Sequence, residues 1–303
     1  MPKGTRAIRR QIRSIGNTKK MTKAMEMVSA SKMRRAVAAA LATRPYATAA
    51  WDILNRLDVR HDAKLHPLLA QRSVRHLGII VISTNRGLCG GFNNALLQKI
   101  ASYITTEKAR GVETITFYTF GKQGRDLAVR MGYSVAADFP KNDITRAITD
   151  ITPISHVVCD IFARGDIDKV ILMNTHFLSS VRQRPVAKTL LPFDAIADSD
   201  VLSEYVAALG KIDSATMCEA CLFEPSDEEV IRASIPRLLD IQIFQAVLES
   251  EASEHSARML AMHNATESAS DLLSDLNLTY NQVRQAGITQ EIAEISSGRA
   301  ALE

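Results

Sequence analysis

Gly87-Leu88-Cys89-Gly90-Gly91 follows an apolar run, Leu77–Ile82, and precedes a helical pattern that opens at Phe92. A glycine-rich turn between strand and helix can cradle a phosphate, because backbone N–H groups converge at the helix N-terminus. This turn meets neither phosphate-binding fingerprint. The Walker pattern ends in Gly-Lys-Ser/Thr, whereas Phe92 and Asn93 follow Gly91 here. The dinucleotide pattern requires G-x-G-x-x-G, and the glycine spacing differs. The residues read as a tight strand-to-helix turn, with no cofactor and no direct small-molecule ligand. Cys218 and Cys221 form a lone C-x-x-C with no second pair and no histidine ligand run beside it. That argues against a zinc site, and its place in the pattern argues against a thioredoxin-like motif. With Cys89 and Cys159 they read as reduced thiols. The seven histidines are scattered. His255 falls on a helical seam and reads as a polar core residue. No catalytic triad, paired carboxylates or metal-ligand set follows from spacing, so neither a catalytic nor a metal site is expected.

Charge is more informative by place than in total. Residues 1–35 hold eleven Lys/Arg and one acid, a local net charge of +10; residues 224–303 hold fourteen Asp/Glu and five Arg, a local net of −9. The basic end could suit nucleic acid. Residues 1–45 offer no Phe, Tyr or Trp ring for base stacking, however, and alanine and methionine fill the other face. The opposite charges of the two ends suit pairing with each other. No apolar run is long enough to span a bilayer, and the N-terminus lacks the apolar core of a signal. The expectation is a cytosolic chain.

Glycine locates the elements that must carry these features, because it is costly inside helices. None occurs between Gly16 and Gly78 or between Gly210 and Gly287. The chain therefore divides into an N-terminal helix over 1–60, a turn-rich centre over 70–210 and a C-terminal helix over 224–303. Ser226-Asp227-Glu228-Glu229 reads as a capping box. From Ile241 a 4,3 spacing runs through Gln245, Leu248, Ala252, His255, Met259, Met262, Thr266, Ala269, Leu273, Leu276, Tyr280 and Val283, a heptad seam. The resulting helix is roughly 100 Å long at 1.5 Å per residue. The N-terminal stripe is less regular: Ile8, Ile12, Ile15, Met21, Met25, Val28, Met33, Ala36 and Ala40. Trp51, Ile53, Leu54 and Leu57 extend it, with Pro45 bending the helix but not ending it. Each stripe needs cover, and antiparallel packing of the two ends supplies it. The centre alternates strand and helix: strands at 77–82, 114–120, 169–177 and 186–191, and helices at 92–110, 122–131 and from the Asn142-Asp143 cap to about Arg164. The fold class is thus α/β: a long antiparallel coiled coil of the N- and C-terminal helices plus a central, mostly parallel α/β domain. Residues 195–222 carry no assignable pattern.

Three runs resemble a known family. IGNTKKMTKAMEMVSASKMR (Ile15–Arg34), followed by Arg44-Pro45-Tyr46, resembles the N-terminal signature of ATP synthase gamma subunits. STNRGLCGGFN (Ser83–Asn93) resembles that family's central-domain motif, and YNQVRQAGITQEI (Tyr280–Ile292) its C-terminal signature. The resemblance implies a rotor shaft inside a ring of three alpha and three beta subunits. It implies an α/β domain that binds the epsilon subunit and rests on the membrane ring of c subunits. It implies no nucleic-acid partner, and a peripheral place on the cytoplasmic face of the bacterial inner membrane. By position, Lys23 and Met25 match the family's contact with an acidic loop of beta, and Arg258, Arg284, Gln285, Thr289 and Glu291 match its C-terminal contacts. Gly287 departs from the serine often found there and weakens the helix by up to about 1 kcal/mol. The stretch Asp198–Cys221 also departs, being longer than usual and holding the C-x-x-C.

Overall fold

The computed structural model describes residues 3–56, 66–142, 145, 147–193 and 226–300. The glycine-poor ends are helical: α1 spans Lys3–Arg56, with Pro45 inside it. Between the ends lie β1 (His76–Ile82), α2 (Phe92–Ala109), β2 (Thr114–Phe120), α3 (Lys122–Arg130), β3 (Ser134–Phe139), α4 (Thr152–Arg164), β4 (Lys169–Phe177) and β5 (Gln183–Leu191). The last helix, α5, spans Asp227–Ala300 and contains Pro236 and Gly287. At its start the Glu229 N–H donates to Ser226 Oγ at 3.3 Å, the first half of the expected capping box. Leu57, Asp198 to Cys221 and the unassigned stretch 195–222 lie outside the described residues.

The strands form one sheet in the order β3-β2-β1-β4-β5, parallel except for antiparallel β5 at its edge. Alternate residues of β1 feed two cores, as period-two geometry requires. Leu77, Ile79 and Val81 pack with Leu96, Ile100 and Ile104 of α2 and Leu127 of α3. Ile80 and Ile82 pack with Val158 and Phe162 of α4 and with Ile235–Leu248 of α5. A sheet covered on both faces explains why β1 reads as a continuous apolar run.

Two expectations need correction here. β3 had no place in the sequence pattern, because Ser134-Val135-Ala136-Ala137-Asp138-Phe139 is weakly apolar and alternates between exposed and half-buried. The helix expected from Asn142 begins ten residues later, at Thr152. The Thr145 N–H donates instead to the Glu251 carboxylate of α5, at 3.0 and 3.1 Å.

The chain divides into two units, residues 32–257 and the pairing of residues 1–31 with 258–303. The first holds the sheet. In the second, α1 and α5 run antiparallel. As the α1 position rises from Arg9 to Thr22 to Glu26, its α5 partner falls from Tyr280 to Thr266 to His263.

Candidate subunit-contact site

Two places could act on something outside the chain: the glycine turn at the sheet's carboxyl edge, and the surface of the helix pair. At the turn, Leu88 and Gly90 take φ of 62° and 58°. Cys89 is buried, and its carbonyl accepts the Phe92 N–H at 3.3 Å. Asn93 Nδ2 donates to Thr84 Oγ1 at 2.9 Å and to Cys89 Sγ at 3.4 Å. Ser83 Oγ donates to the Gly121 carbonyl at 3.0 Å and accepts the Gly124 N–H at 2.7 Å. Gly121 must be glycine: its φ is +112°, and a Cβ there would lie 2.5 Å from the Ser83 carbonyl oxygen. Asn85 Nδ2 donates to the Lys141 carbonyl at 2.7 Å, and Asn85 Oδ1 accepts the Lys122 N–H at 3.3 Å. The polar side chains of Ser83–Asn93 thus tie neighbouring loops of the chain to one another. The motif reads as architecture.

The helix pair is built differently. On α1 a 3,4 spacing of covered positions runs through Thr5, Ile8, Ile12, Ile15, Lys19, Thr22, Glu26 and Ser29, with Gly16 and Met25 half-buried beside it. On α5 they are Met259, Met262, Thr266, Ala269, Leu273, Leu276, Tyr280 and Val283, the expected seam. The seam on α1 is therefore more polar than its apolar residues suggested. Met21 and Val28, assigned to the stripe, point outward with 64% and 55% exposure. Small hydroxyl side chains replace them: Thr22 Oγ1 and Thr266 Oγ1 share a hydrogen bond of 2.8 Å. Farther along, Arg9 hydrogen-bonds the Tyr280 hydroxyl and lies over its ring at 5.5 Å.

The expected contact residues fall into two groups. Lys23 and Met25 share one turn of α1. Lys23 is about half-exposed and pairs with Glu26 at 3.0 Å; Met25 is half-buried. Glu26 Oε1 also meets His263 Nδ1 of α5 at 3.3 Å. The Lys23 hydrogen bond, aided by His263, holds the Glu26 carboxyl below its usual range against a smaller effect of burial. Arg284, Gln285, Thr289 and Glu291 are exposed on the last turns of α5, where Thr289 Oγ1 donates to the Gln285 carbonyl at 3.0 Å. The antiparallel register separates this group from Lys23 and Met25 by roughly 30 Å along α5. Arg258 is buried and stands apart from both groups. Glu26 and His263 were not singled out in the sequence; only the register of α1 on α5 joins them. Among the described residues, no group of three or more His, Cys, Asp or Glu could hold a metal ion, and no helix is long and apolar enough to cross a membrane.

The family model described as ATP synthase matches residues 4–302. The ATP synthase gamma chain of Herpetosiphon aurantiacus is 41% identical, with 98% of each chain covered. That of Chloroflexus aurantiacus is 40% identical, also with 98% of each covered. Among solved structures, a rotor chain of the Euglena gracilis mitochondrial ATP synthase aligns with a TM-score of 0.62 at 20% identity, covering 94% of this chain and 99% of that one. A chain from the OSCP/F1/c-ring assembly of the same organism aligns at 0.64 and 20%, covering 99% and 94%. At that identity the structural likeness carries the fold alone.

Proposed function

The chain belongs to the ATP synthase gamma-chain family, and from that membership we propose that it is the central rotor shaft of a proton-driven rotary ATP synthase, with no catalytic site of its own. One observation carries the reading furthest. The paired helices bury a narrow seam, mostly apolar on α5 and interrupted by small and polar side chains on α1, and they leave Met21, Met27, Val28, Leu272, Leu278, Ile288, Ile292 and Ile295 exposed. Apolar contacts are non-directional, so they suit a surface that must pass successive partners without locking to any one. A rod held within a ring of three alpha and three beta subunits needs such a surface.

Residues 1–60 and 224–303 then form the axial part, and residues 70–210 the domain that meets the epsilon subunit and the c-subunit ring. Proton flow through the membrane sector turns the shaft, and rotation drives the beta sites in sequence. Lys23 and Met25 contact an acidic loop of beta. Arg258, Arg284, Gln285, Thr289 and Glu291 serve the C-terminal contacts, with Arg258 acting from within the helix pair. The place of work is the cytoplasmic face of the bacterial inner membrane, as a peripheral subunit. Purification from native membranes at low salt tests this. Alpha and beta chains in threefold excess over this chain are expected; recovery without them overturns the reading.

A further inference from the structure

The order β3-β2-β1-β4-β5 has a topological switch between β1 and β4: the chain leaves β1 toward β2 and β3, then returns to the opposite side of β1. In open α/β sheets, ligands bind in the crevice outside the carboxyl ends of the strands at such a point. Here α5 occupies it. Ser253 Oγ donates to the Thr175 carbonyl near the end of β4 at 3.2 Å. Glu249 Oε2 lies 3.0 Å from His176 Nδ1 on the next residue of that strand. Lys141 Nζ donates to the Ser83 carbonyl, just past β1, and to Glu254, each at 2.8 Å. The side chains of Lys141 and Glu254 are only 3% and 9% exposed. Glu251 accepts the Thr145 N–H and, at 2.5 Å, its hydroxyl. On α4, Ser155 Oγ donates to Asp240.

We propose that α5 is the resident ligand of this crevice, and that the buried Lys141–Glu254 pair, with Glu251 beside it, is the joint through which torque passes between the α/β domain and α5. The proposal rests on the rotor reading. The apolar packing of Ile235–Leu248 resists separation, but it does not by itself fix how far a helix slides or turns. Charge-assisted hydrogen bonds have fixed geometry and do. A buried ion pair often adds little net stability over an apolar pair, whereas removing one partner strands a buried charge. Lys141 and Glu254 are therefore positioning residues. They fix where α5 docks and leave the strength of docking mainly to the apolar core.

The test uses the assembled complex in inverted membrane vesicles. Variants are Lys141→Met, Glu254→Gln and the double Lys141→Met/Glu254→Met. Two quantities are read: protons pumped per ATP hydrolysed, and amide exchange over residues 240–256. Each single variant should raise exchange there by roughly a hundredfold to a few thousandfold, the range expected when a buried pair loses one partner. Pumping per ATP should fall while ATP hydrolysis continues. The double variant, which leaves no buried charge of the pair, should bring exchange back to within about tenfold of the parent and recover part of the coupling. Unchanged exchange, unchanged coupling, or a double variant no better than the singles overturns the proposal. If neither single assembles, assembly of the double supports the pairing and its failure overturns it. Loss of the parent chain from the complex would instead count against the rotor reading.

Discussion

Met25 shares a turn of α1 with the Lys23–Glu26 ion pair, and that setting decides what a charge there would do. Lys23 is paired with Glu26, and Glu26 also meets His263, so the cations of this turn are partly balanced within the chain. Met25→Lys adds a cation that cannot face Glu26, because adjacent helical residues point apart. On the rotor reading it is left to the acidic loop of beta proposed to face Met25. An ion pair formed in one rotational position holds that dwell, and each 1.4 kcal/mol added to the dwell alone slows departure about tenfold. Met25→Lys should therefore lower proton pumping per ATP in inverted vesicles with near-normal subunit content. Met25→Leu keeps shape and neutrality and should leave the ratio unchanged. Equal loss in both variants would rule out the electrostatic account. Glu251 gives a residue-scale prediction of opposite character. Burial pushes its carboxyl above the usual range, against the pull of Lys141 and of Thr145's hydrogen bonds; nearby Glu254 pushes the same way as burial. The docked state thus binds a proton more readily than the undocked one. Its contribution is full below about pH 4.5 and is lost as pH rises through the raised value. Amide exchange over 240–256, corrected for intrinsic rates, should show docking weakening across that rise. Glu251→Gln, whose side-chain oxygen can still accept from Thr145, should remove that part of the slope. An identical pH dependence in both chains would refute this.

At the scale of elements, the α1 seam makes the sharpest prediction, because it separates hydrophobicity from burial. Thr22 is buried and bonded to Thr266, whereas its neighbour Met21 is 64% exposed. Thr22→Leu forces extra methyl groups between closely packed helices, which should cost about 1–3 kcal/mol. Met21→Ser should change helix-pair stability by no more than about 0.5 kcal/mol. Amide exchange over 22–29 and 262–269 in the assembled complex reads the difference; a larger effect from Met21→Ser would mean the register is wrong. The same seam shows what the sequence could and could not convey. From Met259 onward the α5 heptad was legible, since its covered residues are mostly apolar and recur at 3,4 spacing. On α1 the covering residues are Thr22, Glu26 and Ser29, so an apolar stripe drew in Met21 and Val28 instead. Between Ile235 and Ser256 the heptad no longer discriminates, because nearly every position of α5 is buried against the sheet. Ser250 and Ser253, wholly buried there, look like solvent-face residues in the sequence. The start of α4 was misplaced for a related reason: tertiary capture of the Thr145 N–H by Glu251 overrides a local capping signal. The contact residues rested on family signatures, whereas the Lys141–Glu254 joint spans 113 positions and has no sequence signal at all.

For the whole molecule, the question is what the exposed apolar side chains do before a partner covers them. Ile288, Ile292 and Ile295 recur at i, i+4 and i+7 on α5, with 50%, 62% and 73% exposure. That spacing makes a stripe on one helix face. Among the described residues α1 offers it no cover in the register set by Arg9 and Tyr280, since α5 runs on past the level of Lys3. An exposed apolar stripe on a free chain promotes self-association. Opposite net charges at the two ends, +10 over residues 1–35 and −9 over 224–303, also let separate copies attract one another at low salt. These two causes predict different responses. Salt screens the charge contribution, with a Debye length of about 8 Å at physiological strength, but does not weaken apolar association. The isolated chain should therefore aggregate at low and moderate salt alike. The triple variant Ile288→Ser, Ile292→Ser, Ile295→Ser should sediment as a smaller species at moderate salt. Helix propensity changes little in that variant, since serine ranks close to isoleucine in a helix interior. Co-expressed alpha and beta subunits should keep the parent chain in solution, and the triple variant should be recovered with them in lower yield. If the stripe is instead incidental, the triple variant will aggregate as the parent does and assemble as well. If charge alone drives association, salt will disperse the parent and the substitutions will change nothing.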